Sequence, residues 1–417
     1  MIGSRRKLYV GIDVHSRSHK AALIPVAVLE ETGTAWKKVK PLDIGNNIAD
    51  FERLHNAIKT HVSSPDEVAI AVDHTGGHYS ESIVYFLQTR GFCVYYLETK
   101  AVKAARERFL DEESKSDVID STSAAYLLYL RDLHGLSFRI SAITPELEST
   151  ATTLNSLVLQ RWQLNKLATQ ATNRLHQLLI GVFPEGEARY FKQLLRIIPN
   201  YPTPKDILAS DCLDGIAKLL PKDKESILQL AANTVGVPSD IYRELIKHLG
   251  NLRMKALAER DALTLILRKQ VAMHPYGRIL LSFPFLGDIA AATIIGIIKD
   301  IDRWPDKKKF RKALGVYSSL VQSGTSPTKT RRGYGGNRHG RRVLFQVCLG
   351  CASNTACDND FKDYFLRLVA KGKPRIKALV GSMGKLAEIV YHCLKVGEPY
   401  QYQGKYKMKR TYQNNAL

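Results

Sequence analysis

Four aspartates carry the chemistry this chain could perform: Asp13, Asp73, Asp117 and Asp120. Asp13 closes the mostly apolar run Leu8-Tyr9-Val10-Gly11-Ile12, and Asp73 closes Val68 to Val72, ahead of Gly76 and Gly77. Both runs read as short strands, and open α/β sheets place their sites at the carboxyl ends of strands. A carboxylate there loses hydration unless a cation sits against it. Asp117 and Asp120 stand three apart in Lys115-Ser116-Asp117-Val118-Ile119-Asp120, which opens an apolar run to Leu133. On a helix that spacing puts both acids on one face, where like charges repel and favour a counter-cation. Each acid has a plainer reading. Asp13 suits a hairpin turn, and acids in a helix's first turn meet the positive end of its dipole. Together the four describe a carboxylate site for two metal ions, about 3.5–4 Å apart, that activates an attacking oxygen and stabilises a leaving one at a phosphodiester. Mg²⁺ is the expected ion.

A second set is cationic. Lys329, Arg331, Arg332, Arg338, Arg341 and Arg342, with His339, fall in a stretch that holds no acid. Gly333, Gly335, Gly336 and Gly340 are expected to keep this stretch an open loop, and with Tyr334 it suits phosphate binding. Its plainer reading is a solvated surface loop. Upstream, Phe283-Pro284-Phe285-Leu286-Gly287 reads as a turn opening the apolar helix Ile289–Ile298, of a kind that sets backbone N–H groups against phosphate.

The elements that must position these groups follow from length and patterning. At 417 residues two or three domains are expected, and an apolar fraction of 45% supports a proper core. The net charge of +21 points to a polyanion partner, nucleic acid first. Residues 1–145 alternate strand and helix patterns. Runs Ala21–Val28 and Trp36–Val39 lean to strand, and Asn47–Thr60 is helical with Ile48, Phe51, Leu54 and Ile58 on one face. Ser80–Thr89 reads as a helix and Phe92–Leu97 as a strand, while Ser116 or Asp117 is the expected N-cap of the helix that follows. Residues 146–275 change character. Leucines at helical spacing from Leu147 to Leu179 predict a long helix ended by Phe183-Pro184, and Ile241–Val271 predicts a second. With the short proline-bounded helices between them, these suggest an antiparallel arm or ordinary helical packing. Residues 276–400 form a mainly helical C-terminal piece, and residues 401–417 a flexible tail.

Cys348 and Cys351 form a CxxC without partners at zinc spacing, so they are expected on one helix face as small buried residues. Arg5, Arg6 and Lys7 precede an apolar run that Asp13 cuts short, so a secretory signal is not expected, and Ile289–Ile298 is too short to span a bilayer. A cytoplasmic, reduced protein is expected.

These motifs resemble, in order along most of the chain, those of the DEDD-type insertion-sequence transposases, the group that includes Piv-like DNA invertases and bridge-RNA-guided recombinases. Gly11-Ile12-Asp13-Val14 is similar to the family's opening motif, Ala71-Val72-Asp73-His74-Thr75-Gly76 to its second acidic motif, and Lys115 to Asp120 to its paired aspartates. Asn173-Arg174-Leu175-His176 is similar to the end of its coiled-coil region. Phe283-Pro284 to Gly287, Gly315 to Gly324, Gly336-Asn337 and Arg341 are similar to its C-terminal domain. The resemblance implies an α/β RNase H-like (RuvC-like) N-terminal domain whose Asp13, Asp73, Asp117 and Asp120 bind Mg²⁺, a long coiled coil, and a mainly α C-terminal transposase domain. It implies that Ser323 is a nucleophile forming a covalent bond to a DNA phosphate, with Arg331, Arg332, Arg338 or Arg341 holding that phosphate. It also implies a homo-oligomer, dimer or tetramer, on DNA in a prokaryotic cytoplasm, associated with the nucleoid. In some members a structured guide RNA chooses the target.

Three positions depart from the family. Asp73 stands where Glu is usual, Phe285 follows Pro284 where Gly is usual, and Ser318 stands where Pro is frequent. Ser318 and Ser319 are therefore rival hydroxyls to Ser323. The expected function is Mg²⁺-dependent cutting and rejoining of DNA by an insertion-sequence recombinase through a serine–DNA intermediate. The alternatives are an RNase H-like junction nuclease that uses water, and a nucleic-acid-binding protein without catalysis.

Overall fold

The run Leu8–Val14 forms strand β1, and every one of its residues is buried. A strand apolar on both faces belongs at the centre of a sheet covered on both sides. β1 pairs antiparallel with β2 (Ser18–Pro25) and parallel with β4 (Val68–Asp73). With β3 (Leu42–Gly45), β5 (Val94–Leu97) and β6 (Ile140–Ala142) they make a mixed six-stranded sheet, ordered β3-β2-β1-β4-β5-β6. A computed structural model describes residues 6–31, 35–73, 78–97, 102–103, 116–134, 140–142, 145–209, 213–321, 329–332, 335–353 and 358–404. The chain divides into two units, Met1–Ser149 with Lys299–Asp306, and Thr150–Ile298 with Lys307–Leu417.

In the first unit, strand alternation sorts the core into two layers. Leu8, Val10, Ile12 and Val14 cluster with Phe51, Leu54 and Ile58 of helix α1 (Ile48–Lys59), and with Ile83, Val84 and Leu87 of α2 (Glu81–Thr89). Tyr9, Ala22, Ile24, Ala69 and Ala71 cluster with Ala124, Ala125, Leu127 and Leu128 of α3 (Asp117–His134). This mixed sheet is compatible with an RNase H-like fold.

Three local expectations change. Trp36–Val39 is not a strand: Ala35–Lys38 forms a 3₁₀ turn, and the Trp36 ring stacks on Tyr126 of α3 at 4.0 Å and 11°. Burying that ring outweighs the strand leaning of the segment. The second strand stops at Pro25, and Val26–Glu30 is a short helix. Ile48 is 66% exposed although it shares the periodicity of Phe51 and Ile58, because it occupies the first position of α1, beyond the reach of the sheet.

The two long helices are α4 (Pro145–Val182), which lies in the second unit from Thr150 onward, and α5 (Asp240–Met273). They run antiparallel. Arg161 Nε donates to Thr264 Oγ1 at 2.8 Å, Arg260 Nη1 to Asn165 Oδ1 at 3.4 Å, and Arg253 Nε to Thr172 Oγ1 at 3.1 Å, so position rises on one helix as it falls on the other. Leu164, Ala168 and Ala256 pack between them. Short helices bounded by prolines cover the Val182 end, where Leu175, Leu179, Phe183, Ile198 and Ile246 share a cluster. The C-terminal part holds α6 (Asp288–Ile298), α7 (Arg338–Ser353), α8 (Asp360–Ala370) and α9 (Arg375–Val396). Cys348 and Cys351 lie buried on α7 as expected, and burial, with Cys351 nearby, pushes the Cys348 thiol well up. No helix among the described residues is long and apolar enough to cross a membrane.

Candidate metal centre and nucleic-acid interface

Asp13 comes to its place because of Gly11. Both residues lie on the sheet face that α3 covers. A Cβ on Gly11 would stand 2.0 Å from Ser121 O and 2.5 Å from Ala125 N, so only glycine lets α3 settle at this depth. That settling carries the first turn of α3 to the end of β1. Ser116 caps the helix, its Oγ accepting from Ile119 N at 3.3 Å. Asp117 and Asp120 occupy the first turn, where the helix dipole favours them. Asp13 is 5% exposed and Asp120 7%, while the Asp117 side chain is about half exposed.

A histidine that the motif reading passed over joins them. His15 Nε2 lies 3.3 Å from Asp13 Oδ2 and 3.2 Å from Asp117 Oδ2. The ligand atoms of Asp13, His15 and Asp117 all lie within 4.8 Å of one another. Asp120 is one turn further on and is not one of these three. The signal for His15 was its position two residues past Asp13, in the turn between β1 and β2. Asp73 ends β4, and since Ile12 pairs with Val72, Asp13 and Asp73 hold the next register position on neighbouring parallel strands. Two buried or half-buried carboxylates with one imidazole form a hard, mainly oxygen donor set, compatible with a divalent metal ion.

The basic set divides among elements instead of forming one open loop. Lys329–Arg332 is strand β8, paired antiparallel with β7 (Ser318–Val321), Ser318 opposite Arg332 and Val321 opposite Lys329. Ser318 and Ser319 are thus strand residues. Ser323 lies outside the described residues, as do Gly333 and Tyr334. Arg338, Arg341 and Arg342 belong to the first turns of α7, and Gly340 is buried in it. The reason is the cap: Asn337 Oδ1 accepts from His339 N at 2.8 Å and from Gly340 N at 3.2 Å, which starts a helix where the glycines suggested a loop. Arg341 Nη1 donates to Gly315 O at 3.3 Å and fastens the preceding turn. Cations at a helix N-terminus oppose the dipole, an arrangement that an anion relieves. Burial, then Arg338 and Arg342, lower the pKa of His339. The turn before α6 forms as expected. Phe285 adopts φ 61°, the left-handed conformation that the family's usual glycine would take without cost.

Comparison with known proteins gives the family. A DEDD-type IS110 transposase model matches residues 10–184, which include all four aspartates. A second, described as Transposase IS116/IS110/IS902 family, matches residues 277–365, which include the turn at Phe285, β7, β8 and α7. A curated relative from Streptomyces coelicolor, described as "Insertion element IS110 uncharacterized 43.6 kDa protein", is 21% identical over 211 residues, 50% of this chain and 48% of its own length. The chain thus spans about half the length of that relative. With both models matched in order over more than half of its residues, the chain belongs to the IS116/IS110/IS902 family of transposases.

Proposed function

We propose that this chain is the recombinase of an insertion sequence, cutting and rejoining DNA strands through a bond to Ser323. The observation that carries the reading is the buried Asp13 carboxylate facing Asp117 across His15, with Asp73 at the next register position of the adjoining strand. In this reading the first unit is RNase H-like, Asp13, Asp73, Asp117 and Asp120 hold Mg²⁺, and α4 with α5 is the family's coiled coil. Bound there, Mg²⁺ would neutralise charge at a phosphodiester and favour the ionised form of an attacking hydroxyl.

The chain's own groups would do the rest. The Ser323 oxygen forms a bond to phosphorus as the bond from phosphorus to the deoxyribose oxygen breaks. The serine proton passes to solvent or a nearby base, and the leaving oxygen takes one up. A strand hydroxyl then attacks the phosphoserine, the serine oxygen leaves, and the phosphodiester is restored without loss of a bond. Serine needs activation for this, which a metal-loaded carboxylate site brought to it from another domain or subunit would supply. Arg331, Arg332, Arg338, Arg341, Arg342 and Lys329 are the candidate phosphate contacts, and guanidinium groups suit them because they bind phosphate oxygens in pairs. Where a structured RNA guides the reaction, base pairing reads sequence and the protein reads backbone and shape, in keeping with the net charge of +21.

The test is a denaturing gel of purified protein with Mg²⁺ and labelled DNA carrying the element's ends and junction, with and without the flanking transcript. Wild type is expected to give a covalent protein–DNA band that Ser323→Ala lacks. Cut DNA without that band, equal in both proteins, would favour a nuclease using water. Asp73→Asn is expected to abolish strand exchange while leaving DNA binding nearly unchanged; normal recombination by this variant would remove Asp73 from the site.

A further inference from the structure

Within the second unit, Phe285 is a non-glycine residue held at φ 61° with 45% of its surface exposed. Strain in the backbone is usually retained where the side chain it presents has a use. Phe285 lines a cavity of about 550 Å³, within the range of small-ligand pockets, about 300–1,000 Å³. Its walls also include Trp162, Arg161, Arg268, Arg342 and Gln346. Two aromatic rings and three guanidinium groups on one cavity are the materials of nucleotide recognition, a flat apolar surface for a base beside cations for its phosphate.

The details favour an occupant. The Arg342 guanidinium lies over the Trp162 ring, 4.2 Å from its centroid, and the His339 ring stands 5.5 Å away at 45°. The indole N–H of Trp162 is buried without a hydrogen-bond partner, a cost that a folded protein seldom carries without reason. Arg161 donates to the Thr264 hydroxyl at 2.8 Å, a neutral partner, and Arg268 reaches Asp288 at 3.0 Å from an exposed position. Burial, then the neighbouring Arg260, lower the pKa of Arg161, while Asp261 acts the other way. A phosphate beside Arg161 would favour its charged form further.

We infer that this cavity receives an unstacked nucleobase of a single nucleic-acid strand, stacked on Phe285 or Trp162, with its phosphate held by Arg161, Arg268 and Arg342. The inference rests on the reading of the chain as a protein that acts on nucleic acid, and adds a base-binding site made of residues other than the four aspartates and Ser323.

The test is fluorescence anisotropy with labelled single strands of oligothymidine, oligouridine and an abasic deoxyribose-phosphate strand of equal length. Wild type is expected to bind a base-bearing strand about tenfold or more tighter than the abasic one. A preference for oligothymidine assigns the site to DNA, and one for oligouridine to RNA. Phe285→Gly and Trp162→Leu are each expected to bring base-bearing and abasic strands toward equal affinity. Phe285→Gly relieves the backbone strain, so its melting temperature is expected not to fall, which a merely structural phenylalanine would not allow. Equal binding of all three strands by wild type would overturn the inference, as would a preference that survives both variants. Absence of binding to any strand would instead overturn the nucleic-acid reading itself.

Discussion

The acidic centre of the first unit and the basic cavity of the second are built by opposite devices. At the acidic centre the backbone is regular and a side chain has been removed. Gly11 sits in an ordinary strand, and its missing Cβ is the space that α3 occupies. At the basic cavity the backbone is irregular and a side chain has been kept, since Phe285 stands in a conformation suited to glycine. The first device draws two elements together and fixes where the carboxylates meet. The second sets an aromatic ring on the wall of the cavity, at a strain on the order of 1–3 kcal/mol. Charge follows the same division. The acids sit where a dipole favours them, and the arginines of α7 where a dipole opposes them.

The largest effect is expected at Gly11. Gly11→Val would drive methyl groups into the backbone of α3, so a loss of about 3 kcal/mol or more in stability is expected. Denaturant unfolding would show it, and an unchanged midpoint would mean that α3 does not depend on that space. Asp13→Asn should leave the fold nearly intact while weakening Mn²⁺ binding on the order of 100-fold or more, read by calorimetry. Equal Mn²⁺ affinity in wild type and variant would exclude Asp13 as a ligand.

Acid also separates the two regions, because among the described residues each unit buries one histidine. Burial, with His15 nearby for His19, lowers the pKa of His19 and of His274 to about 4. His19 is fully buried with both ring nitrogens unpartnered, and His274 is 4% exposed. An unfolded histidine titrates near 6.5, so between about pH 6.5 and 4 the unfolded chain binds protons that the folded chain refuses. Stability is therefore full above that window and falls as pH drops through it, by roughly 2–3 kcal/mol for each group. His19→Leu is expected to flatten the thermal-melt profile of the first unit over this range; an unaltered pH slope would show that the ring protonates without unfolding. The smallest effect belongs to the seam of α4 and α5. Burial, then Arg260, lower the pKa of Arg253, whose Nε partner is the Thr172 hydroxyl. Arg253→Leu is expected to stabilise the helix pair by about 0.5–1 kcal/mol, since a desolvated cation without a carboxylate gives way to apolar packing. A fall in melting temperature would mean that this guanidinium has an anionic partner.

Much of the site was legible in the chain. Apolar runs closing on Asp13 and Asp73 gave two strand ends, and the i,i+3 spacing of Asp117 and Asp120 gave a helix face. The two long helices and the turn before α6 were equally plain, because each is a local pattern repeated over many residues. His15 was marked only by standing two residues past Asp13, since one polar residue in a turn has no periodicity to mark it. The loop expected from Lys329 to Arg342 also failed. Its glycines suggested openness, while strand pairing at Lys329–Arg332 and the Asn337 cap decided otherwise.

By itself the sequence determined the alternation of apolar and polar positions, hence which elements form and which residues stand at their ends. Local backbone sterics and burial of one face are enough for that. Only the tertiary structure decided that Asp13, His15 and Asp117 converge while Asp120 stands a turn away, and that Phe285 shares a cavity with Trp162. Those relations join residues far apart in the chain. Their distances are set by how closely packed surfaces approach, as at the Gly11 contact with α3, and no spacing along a single element records that depth.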